Sequence, residues 1–260
     1  MSKNIHGSQI NFNSILEDCK KRFTPFEKKV EINRTPLNLL EVIEKIGVEG
    51  VKNAIISEVK YNSPTTENRS RGEPDKIALE MIEGGTCAIS VLTEEKYFNG
   101  SLSNLEQVKK VSTVPVLRKD FIFNKTQISE SYYYGADSLL LISSFFTESE
   151  LKEMIDLSRE YGMEPLVETH SKEDVFKARN AGTRLYAINN RDKDTLKLDL
   201  NKTAELAPLI DGTIVSASGI ETPTDLRRIL KFADAALIGS SIMGAINIKA
   251  KVQEFVRMAL

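Results

Sequence analysis

The most regular feature of this sequence is the alternation of short apolar runs with segments that carry apolar residues at helical spacing. The runs are rich in Val, Ile and Leu and are continuous, which is typical of strands buried on both faces of a parallel sheet. Their starts lie 21 to 32 residues apart, which leaves room for a helix between successive strands. The eight predicted strands are Ala54–Lys60, Thr86–Thr93, Pro115–Phe121, Ser138–Ser143, Glu164–Thr169, Leu185–Asn190, Thr213–Gly219 and Ala235–Ser241.

The segments between these runs carry signals for helix starts and helix ends. Capping-box sequences begin at Thr147 and at Ser171, each just before apolar positions at helical spacing. Thr222 is followed by a proline, a residue that is favoured at the first position of a helix. The glycines predicted to end helices are Gly84, Gly85, Gly135, Gly162 and Gly182.

Eight strands that alternate with helices predict an α/β protein with the (β/α)8 TIM-barrel fold. The alternative is a doubly wound open sheet, which should show a GxGxxG sequence after its first strand. The first run is followed by Tyr61-Asn-Ser-Pro-Thr65 instead, which favours the barrel. We expect residues 1–260 to form one domain, with the barrel strands inside 54–241 and a C-terminal helix at 247–259.

Residues 1–50 lie outside this repeat and predict an extra N-terminal helical segment. Such a segment could cover the bottom of the barrel, or it could lie near the mouth. The sequence alone leaves both positions open. The apolar stripe that predicts a helix here consists of Leu39, Leu40, Val42, Ile43 and Ile46.

Composition and charge exclude several classes of protein. The chain is 41% hydrophobic and 28% charged, and its 35 Lys and Arg against 37 Asp and Glu give a net charge of −2. This balance offers no basis for binding nucleic acid or a membrane surface. Two cysteines (Cys19, Cys87) and two histidines (His6, His170) do not suit a disulfide framework or a metal site. With no secretory signal or long apolar segment, we expect a cytoplasmic protein.

Polar residues end several of the predicted strands, which is where a barrel of this kind carries its chemistry. Glu58 and Lys60 are two residues apart and share a strand face, either as a poised acid and amine or as a structural salt bridge. Lys119 lies between Leu117 and Phe121 on one face. Burial among these apolar side chains should lower the pKa of Lys119 and suit it to acid catalysis. The alternative is that the lysine side chain extends to place its ammonium group in solvent.

Strands five and six end in further candidates. Glu168 follows an apolar position, so we expect a raised pKa that suits a general acid or base, or else a pairing with Lys119. We expect His170 to be a loop residue that does not contact a ligand. Asn189 could orient a substrate hydroxyl, and Arg191 could bind an anion or pair with the neighbouring Asp192.

Strands seven and eight end in small residues. Glycine lets backbone N–H groups approach a phosphate closely, and serine adds a hydroxyl donor. Barrels often hold the phosphate of a substrate with the loops after these two strands. The residues therefore indicate an enzyme that acts on a phosphorylated small molecule by acid–base chemistry, and they leave the reaction open. The residues concerned are Ser218, Gly219, Gly239 and Ser240.

The residues of these motifs and their order along the chain resemble those of the indole-3-glycerol phosphate synthase family of tryptophan biosynthesis. The stretch LTEEKYFNGS at 92–101 is distinctive on its own. The other matching stretches are Ile56–Lys60 with Ser63-Pro64, Leu117–Phe121, Gly162–Glu168, Ile188–Asp192, Ser218–Ile220 and Ile238–Ser241.

The resemblance implies conversion of 1-(2-carboxyphenylamino)-1-deoxyribulose 5-phosphate to indole-3-glycerol phosphate, CO2 and water, without metal or organic cofactor. It implies that Lys119 is the general acid, Lys60 a second catalytic lysine and Glu168 the general base, with Glu58 and Asn189 beside them. Implied phosphate contacts are Ser63, Ser218, Gly219, Gly239 and Ser240. Implied apolar walls for the anthranilate ring are Phe98, Leu117, Phe121 and Leu140.

The sequence departs from the family pattern at Ala217, where the family usually has a glutamate before the Ser-Gly of strand seven. An active enzyme with reduced turnover, an engineered change and a shifted substrate all fit this departure, and we favour retained activity. The rival barrel phosphoribosylanthranilate isomerase would have Cys on strand one and Asp on strand five, where this chain has Glu58 and Glu168. A non-catalytic phosphate-binding barrel that partners other tryptophan-pathway enzymes is the alternative from another class.

Overall fold

The computed structural model describes residues 11–63 and 72–259. Eight parallel strands form a closed barrel in which each strand pairs with its sequence neighbours and β8 pairs with β1. The barrel prediction is confirmed, and the open sheet is wrong. The strands are β1 (Ala54–Val59), β2 (Ala88–Leu92), β3 (Val116–Lys119), β4 (Ser138–Ile142), β5 (Leu166–Thr169), β6 (Leu185–Asn189), β7 (Thr213–Ala217) and β8 (Ala235–Ile238).

Helices surround the barrel and also cover its ends. Two short 3-10 turns, Ser143–Phe145 and Ala207–Leu209, supplement them. The helices in the described part of the chain are α1 (Phe12–Arg22), α2 (Leu39–Glu49), α3 (Pro74–Glu83), α4 (Glu95–Phe98), α5 (Leu102–Val111), α6 (Thr126–Tyr133), α7 (Glu148–Glu160), α8 (Lys172–Asn180), α9 (Asn201–Leu206), α10 (Pro223–Ile229), α11 (Ser240–Met243) and α12 (Ile248–Val256).

The predicted helix boundaries are largely confirmed. Thr147 and Thr222 each form a complete capping box. Ser171 accepts from the backbone N–H of Asp174, but the Asp174 carboxylate accepts from the backbone N–H of His170, one residue before the cap. The predicted box at Ser171 is therefore only half formed. Of the glycines predicted to end helices, Gly85, Gly135, Gly162 and Gly182 have left-handed φ values, whereas Gly84 caps α3 in a right-handed conformation.

Alternate side chains of each strand pack on opposite faces of the sheet, as the twofold repeat of a strand requires. On β1, Ile55 and Val59 pack outward with the helices, whereas Ile56 packs inside the barrel. Leu117 and Leu140 occupy the same interior. The interior is therefore largely apolar, and the charged side chains Glu58, Lys119 and Glu168 lie toward the upper ends of their strands.

The N-terminal segment reaches both ends of the barrel. Leu39 and Ile43 of α2 are buried in the same core cluster as the barrel interior, and Thr213 at the start of β7 donates to Glu44 Oε1 at 3.3 Å. The stripe on α2 thus covers the bottom of the barrel. Helix α1 lies at the mouth instead, where Phe12 meets Phe121 edge to face at a centroid distance of 5.7 Å.

The stretch between α1 and α2 is tied to the side of the barrel at Arg34. Its guanidinium pairs with Asp137 at 3.2 Å and donates to the carbonyls of Tyr132 and Ala136. Lys109 pairs with the other oxygen of Asp137 at 2.6 Å. Asp137 is buried just before β4, so this cluster anchors the N-terminal segment to the frame of the barrel.

Candidate active site at the mouth of the barrel

The upper end of β1 places a carboxylate between two ammonium groups. Glu58 Oε1 lies 3.4 Å from Lys60 Nζ, and Glu58 Oε2 lies 3.2 Å from Lys119 Nζ. Ser90 on β2 donates to Oε2 at 3.4 Å. Glu58 is buried, while both lysine side chains keep nearly a fifth of their surface exposed. The cluster therefore faces the cleft rather than closing the barrel beneath it.

These neighbours set the proton affinities of the cluster. Burial raises the pKa of Glu58, but Lys119 and Lys60 outweigh it, so that this pKa lies below its ordinary value. Burial lowers the pKa of Lys119, but the charges of Glu58 and Glu168 outweigh it and the pKa is raised. The expectation of a lowered Lys119 pKa is therefore wrong, because it counted desolvation and not the partner on another strand. Burial does prevail at Lys60, whose pKa is lowered.

Glu168, at the end of β5, is almost completely buried close to Lys119. One of its oxygens, Oε1, lies 2.9 Å from His170 Nε2. Burial raises the pKa of Glu168, but the contacts with His170, Lys119 and Asn189 outweigh it and the pKa is lowered. The expected raised pKa is therefore wrong. Lys119 forms its ion pair with Glu58, so the expected pairing with Glu168 is only a longer-range charge interaction.

His170 is the residue that the sequence interpretation undervalued. It is buried, and its ring nitrogens contact Glu168 and, at 3.2 Å, the carbonyl oxygen of Arg191. The signal that could have found it is the alternation Leu166, Glu168, His170, which continues the inward face of β5 by one more position. The strand ends at Thr169, yet the His170 side chain still points to the inward side.

Asn189 ends β6 and Arg191 follows it at the same rim. The backbone N–H of Arg191 donates to Asn189 Oδ1 at 3.0 Å, which turns the amide nitrogen of Asn189 toward Glu168. The Arg191 guanidinium lines the cleft and donates to the carbonyl of Leu196 at 2.9 Å. The alternative of an Arg191–Asp192 pair is wrong, because Asp192 pairs with Lys202 at 3.4 Å.

The opposite side of the cleft carries the predicted phosphate contacts. Lys60 Nζ donates to Ser240 Oγ at 2.9 Å, so one lysine joins this side to Glu58. A Cβ at Gly239 would come within 2.6 Å of Glu58 Oε1, which explains the glycine there. Ser218 and Gly219 have φ of 70° and 80°, a left-handed pair that turns the chain after β7. Ser63, Ser218, Gly219, Gly239 and Ser240 all line this cleft.

Aromatic side chains form part of the rim. Phe98 lines the cleft, and its ring lies 6.2 Å from that of Phe121, which stacks on Phe145 at 5.7 Å. Leu117 and Leu140 lie in the apolar cluster beneath, so their contact with a bound ring stays a prediction.

Ala217 lines the cleft at the end of β7. It is paired in the sheet with Asn189 on one side and Leu237 on the other. In residues 11–63 and 72–259, no group of three or more His, Cys, Asp or Glu could hold a metal ion. None of the helices described is long and apolar enough to cross a membrane.

Together, the fold and the site define a TIM barrel with a cluster of charged side chains at the C-terminal ends of its strands. The profile of the indole-3-glycerol phosphate synthase family matches residues 11–255, and the chain belongs to this family. An indole-3-glycerol phosphate synthase of Methanocaldococcus jannaschii is 43% identical over 248 residues, 92% of each chain. One of Aquifex aeolicus is 42% identical over 77% of this chain and 80% of its own.

Solved structures add support for the fold. A 3-hexulose-6-phosphate synthase matches with a TM-score of 0.64 at 16% identity, over 78% of this chain and 97% of that one. At this identity the likeness concerns the barrel architecture alone.

Proposed function

We propose that this protein is an indole-3-glycerol phosphate synthase, a carboxy-lyase of tryptophan biosynthesis. It would close the ring of 1-(2-carboxyphenylamino)-1-deoxyribulose 5-phosphate and release CO2 and water. Family membership supports this reaction, and so does the convergence of Glu58, Lys60 and Lys119 on one cleft, with Glu168 of a third strand close enough for its charge to act on Lys119. The proposal depends on this convergence. Acid–base ring closure needs protein groups that donate and accept protons within reach of the same bound substrate.

Lys119 is the proposed general acid. Ring closure requires the ketone oxygen to be protonated while the aromatic carbon attacks the carbonyl carbon. The ion pair with Glu58 keeps Lys119 protonated at neutral pH, so that a proton is available for that oxygen. Arrival of the substrate between them would weaken the pair and ease the transfer.

Lys60 is proposed to offset the anionic groups of the substrate. Its ammonium lies between Glu58 and Ser240, so it can face either the carboxylate that leaves as CO2 or the phosphate. The phosphate itself would lie against the small residues of the neighbouring loops, where backbone N–H groups and hydroxyls can donate to it. These residues are Ser63, Ser218, Gly219, Gly239 and Ser240.

Glu168 is the proposed base for the final loss of water. Its lowered pKa keeps it ionised and ready to accept a proton at neutral pH. Asn189 lies next to it and would orient a hydroxyl of the sugar chain. Phe98 and Phe121, above Leu117 and Leu140, would hold the anthranilate ring against the carbonyl and so remove part of the entropic barrier.

Ala217 bears on the rate rather than on the type of reaction. The side chain is a methyl group between Asn189 and Leu237, so it supplies no charge to the cleft. We propose an active enzyme whose turnover is lower than that of an Ala217→Glu variant. A non-catalytic barrel remains the alternative, and intact Lys60, Lys119 and Glu168 favour the enzyme.

The test is a steady-state assay of indole-3-glycerol phosphate formation together with CO2 release. The purified chain should form product, Lys119→Ala should abolish nearly all of it, and Ala217→Glu should form it faster. Absence of product from both the wild type and Ala217→Glu would contradict the proposal. Calorimetry with indole-3-glycerol phosphate then separates the alternative, because a non-catalytic barrel would bind the product without forming it.

A further inference from the structure

We propose that His170 is a positioning residue that carries a proton on both ring nitrogens and clamps one carboxylate oxygen of Glu168. Its effect on catalysis rests on the proposed role of Glu168 as the base. The protonation of the ring can be tested without any activity.

The geometry places an acceptor at each ring nitrogen. Nδ1 lies 3.2 Å from the carbonyl oxygen of Arg191, and Nε2 lies 2.9 Å from Glu168 Oε1. A backbone carbonyl can only accept, so Nδ1 has to donate. An ionised carboxylate can also only accept, so Nε2 donates as well, and the ring is then an imidazolium.

A neutral ring would satisfy both contacts only if Glu168 held the proton and donated it to Nε2. The surroundings of Glu168 oppose that arrangement. Lys119 places a positive charge nearby, and Asn189 also hydrogen-bonds the carboxylate, both of which favour its ionised form. The proton shared by the pair therefore belongs to His170.

The groups packed around the ring agree with this charge. From α8, the carboxylate of Asp174 accepts from the backbone N–H of His170 at 3.1 Å, which adds a second negative charge on that side. From α1, the Phe12 ring covers the imidazole edge to face at 5.4 Å and contributes no charge. The positive groups, Lys119 on β3 and Arg191 after β6, are engaged by Glu58 and by the carbonyl of Leu196.

His170 would act through Glu168 rather than on the substrate. Its side chain is only 2% exposed, and it is not among the residues that line the cleft in the described part of the chain. By holding Oε1, it fixes the orientation of the carboxylate that would meet the reacting atoms. Its charge also keeps Glu168 ionised until a substrate proton arrives.

The direct test is ¹⁵N NMR of the imidazole groups in the full chain. His6 and His170 are the only two histidines, so a His6→Gln background leaves His170 as the single signal. At pH 8 an ordinary histidine, with a pKa of about 6.5, is neutral. We expect both ring nitrogens of His170 to carry a proton at this pH. A ring with one proton would overturn the proposal.

Glu168→Gln in the same background is the matched control. The amide keeps the shape of the carboxylate but removes its negative charge, so the ring should lose its Nε2 proton and become neutral at pH 8. A ring that stays doubly protonated in this variant would show that Glu168 does not hold the charge, and would also overturn the proposal.

Kinetics test the effect on Glu168. His170→Gln keeps a donor without the charge, and His170→Phe keeps the ring against Phe12 without either. Loss of the cation should raise the pKa of Glu168, so the acid limb of the kcat/KM profile should move to higher pH in both variants. We expect kcat to fall, by less than the 10²–10⁴-fold of losing the base itself, with KM little changed. Unchanged profiles in correctly folded variants would contradict the role.

The two proposals fail in different ways. A wild-type chain without activity would contradict the proposed function. The NMR measurement would still test the protonation of His170, because it does not depend on activity. An active wild type with a singly protonated ring would contradict only the inference about His170.

Discussion

Glu58 Oε2 and Lys119 Nζ lie 3.2 Å apart although they belong to different strands, β1 and β3. The same carboxylate holds Lys60 Nζ at 3.4 Å through its other oxygen. One buried anion therefore sets the proton affinity of both amines in the cleft. The two lysines differ because Glu168 adds a further negative charge near Lys119, whereas burial prevails at Lys60.

Replacing Glu58 should shift the alkaline side of the activity profile. In Glu58→Gln, the charge that raises the pKa of Lys119 is lost, so this lysine should lose its proton at a lower pH. The basic limb of kcat/KM should then move to lower pH, as measured by steady-state assays across pH. Ser90→Ala is the matched control, because it removes a neutral hydrogen bond to the same carboxylate. An unmoved basic limb in Glu58→Gln would refute the proposed link.

Lys119→Ala should lower kcat by about 10²–10⁴-fold if this lysine is the general acid. Lys119→Arg keeps a positive charge beside Glu58 but does not release a proton near neutral pH, so it should also be slow. Steady-state kinetics of both variants provide the measurement. A change in KM alone would instead make Lys119 a binding residue, and full activity in Lys119→Arg would leave only a role for its charge.

Ser240→Ala should weaken binding of the phosphate more than it slows the reaction. A hydrogen bond to a charged group is worth about 1.5–3 kcal/mol, so KM and the inhibition constant of inorganic phosphate should rise about tenfold or more. Ser241→Ala is the control, because its hydroxyl donates to the carbonyl of Ile220 at 3.1 Å instead. Equal effects in the two variants would count against a phosphate contact at Ser240.

Arg34→Ala should destabilise the fold without acting on the chemistry. It would remove one of the two ion pairs that the buried Asp137 forms in the described part of the chain, and it would free two backbone carbonyls. The expected loss in the free energy of unfolding is about 1–3 kcal/mol, measured by urea titration. Lys28→Ala is the control. It removes an exposed contact with Tyr133 of α6, the helix whose Tyr132 carbonyl Arg34 binds, and it should change stability little. Similar urea midpoints of unfolding for the two variants would show that the contacts of Arg34 do not stabilise the fold.

The fold was within reach of the sequence because its information is local. Each strand is a continuous apolar run, and several helices show their own start and end signals, so eight repeats predict a barrel before any contact is known. The C-terminal ends of parallel strands meet at one rim, which is why Glu58, Lys119, Glu168 and Asn189 could be grouped from position alone.

The proton affinities and the place of α1 were out of reach because they depend on contacts between distant parts of the chain. Desolvation alone predicts a lowered pKa for Lys119, and the charges of Glu58 and Glu168, which lie on other strands, reverse it. His170 lies one position beyond the end of β5, so the alternation of the strand predicts its direction only if that alternation continues past Thr169. That α1 rests at the mouth while α2 closes the bottom depends on packing against Phe121 and β7.

Lys60 has two partners, Ser240 Oγ at 2.9 Å and Glu58 Oε1 at 3.4 Å. An anion that arrives beside Ser240 would compete with Glu58 for this ammonium and leave the carboxylate more fully to Lys119. The phosphate of a substrate would thereby change the pKa of Lys119, which acts at the other end of the same molecule. A substrate analogue without the phosphate would therefore bind more weakly and would also meet a Lys119 with a different pKa.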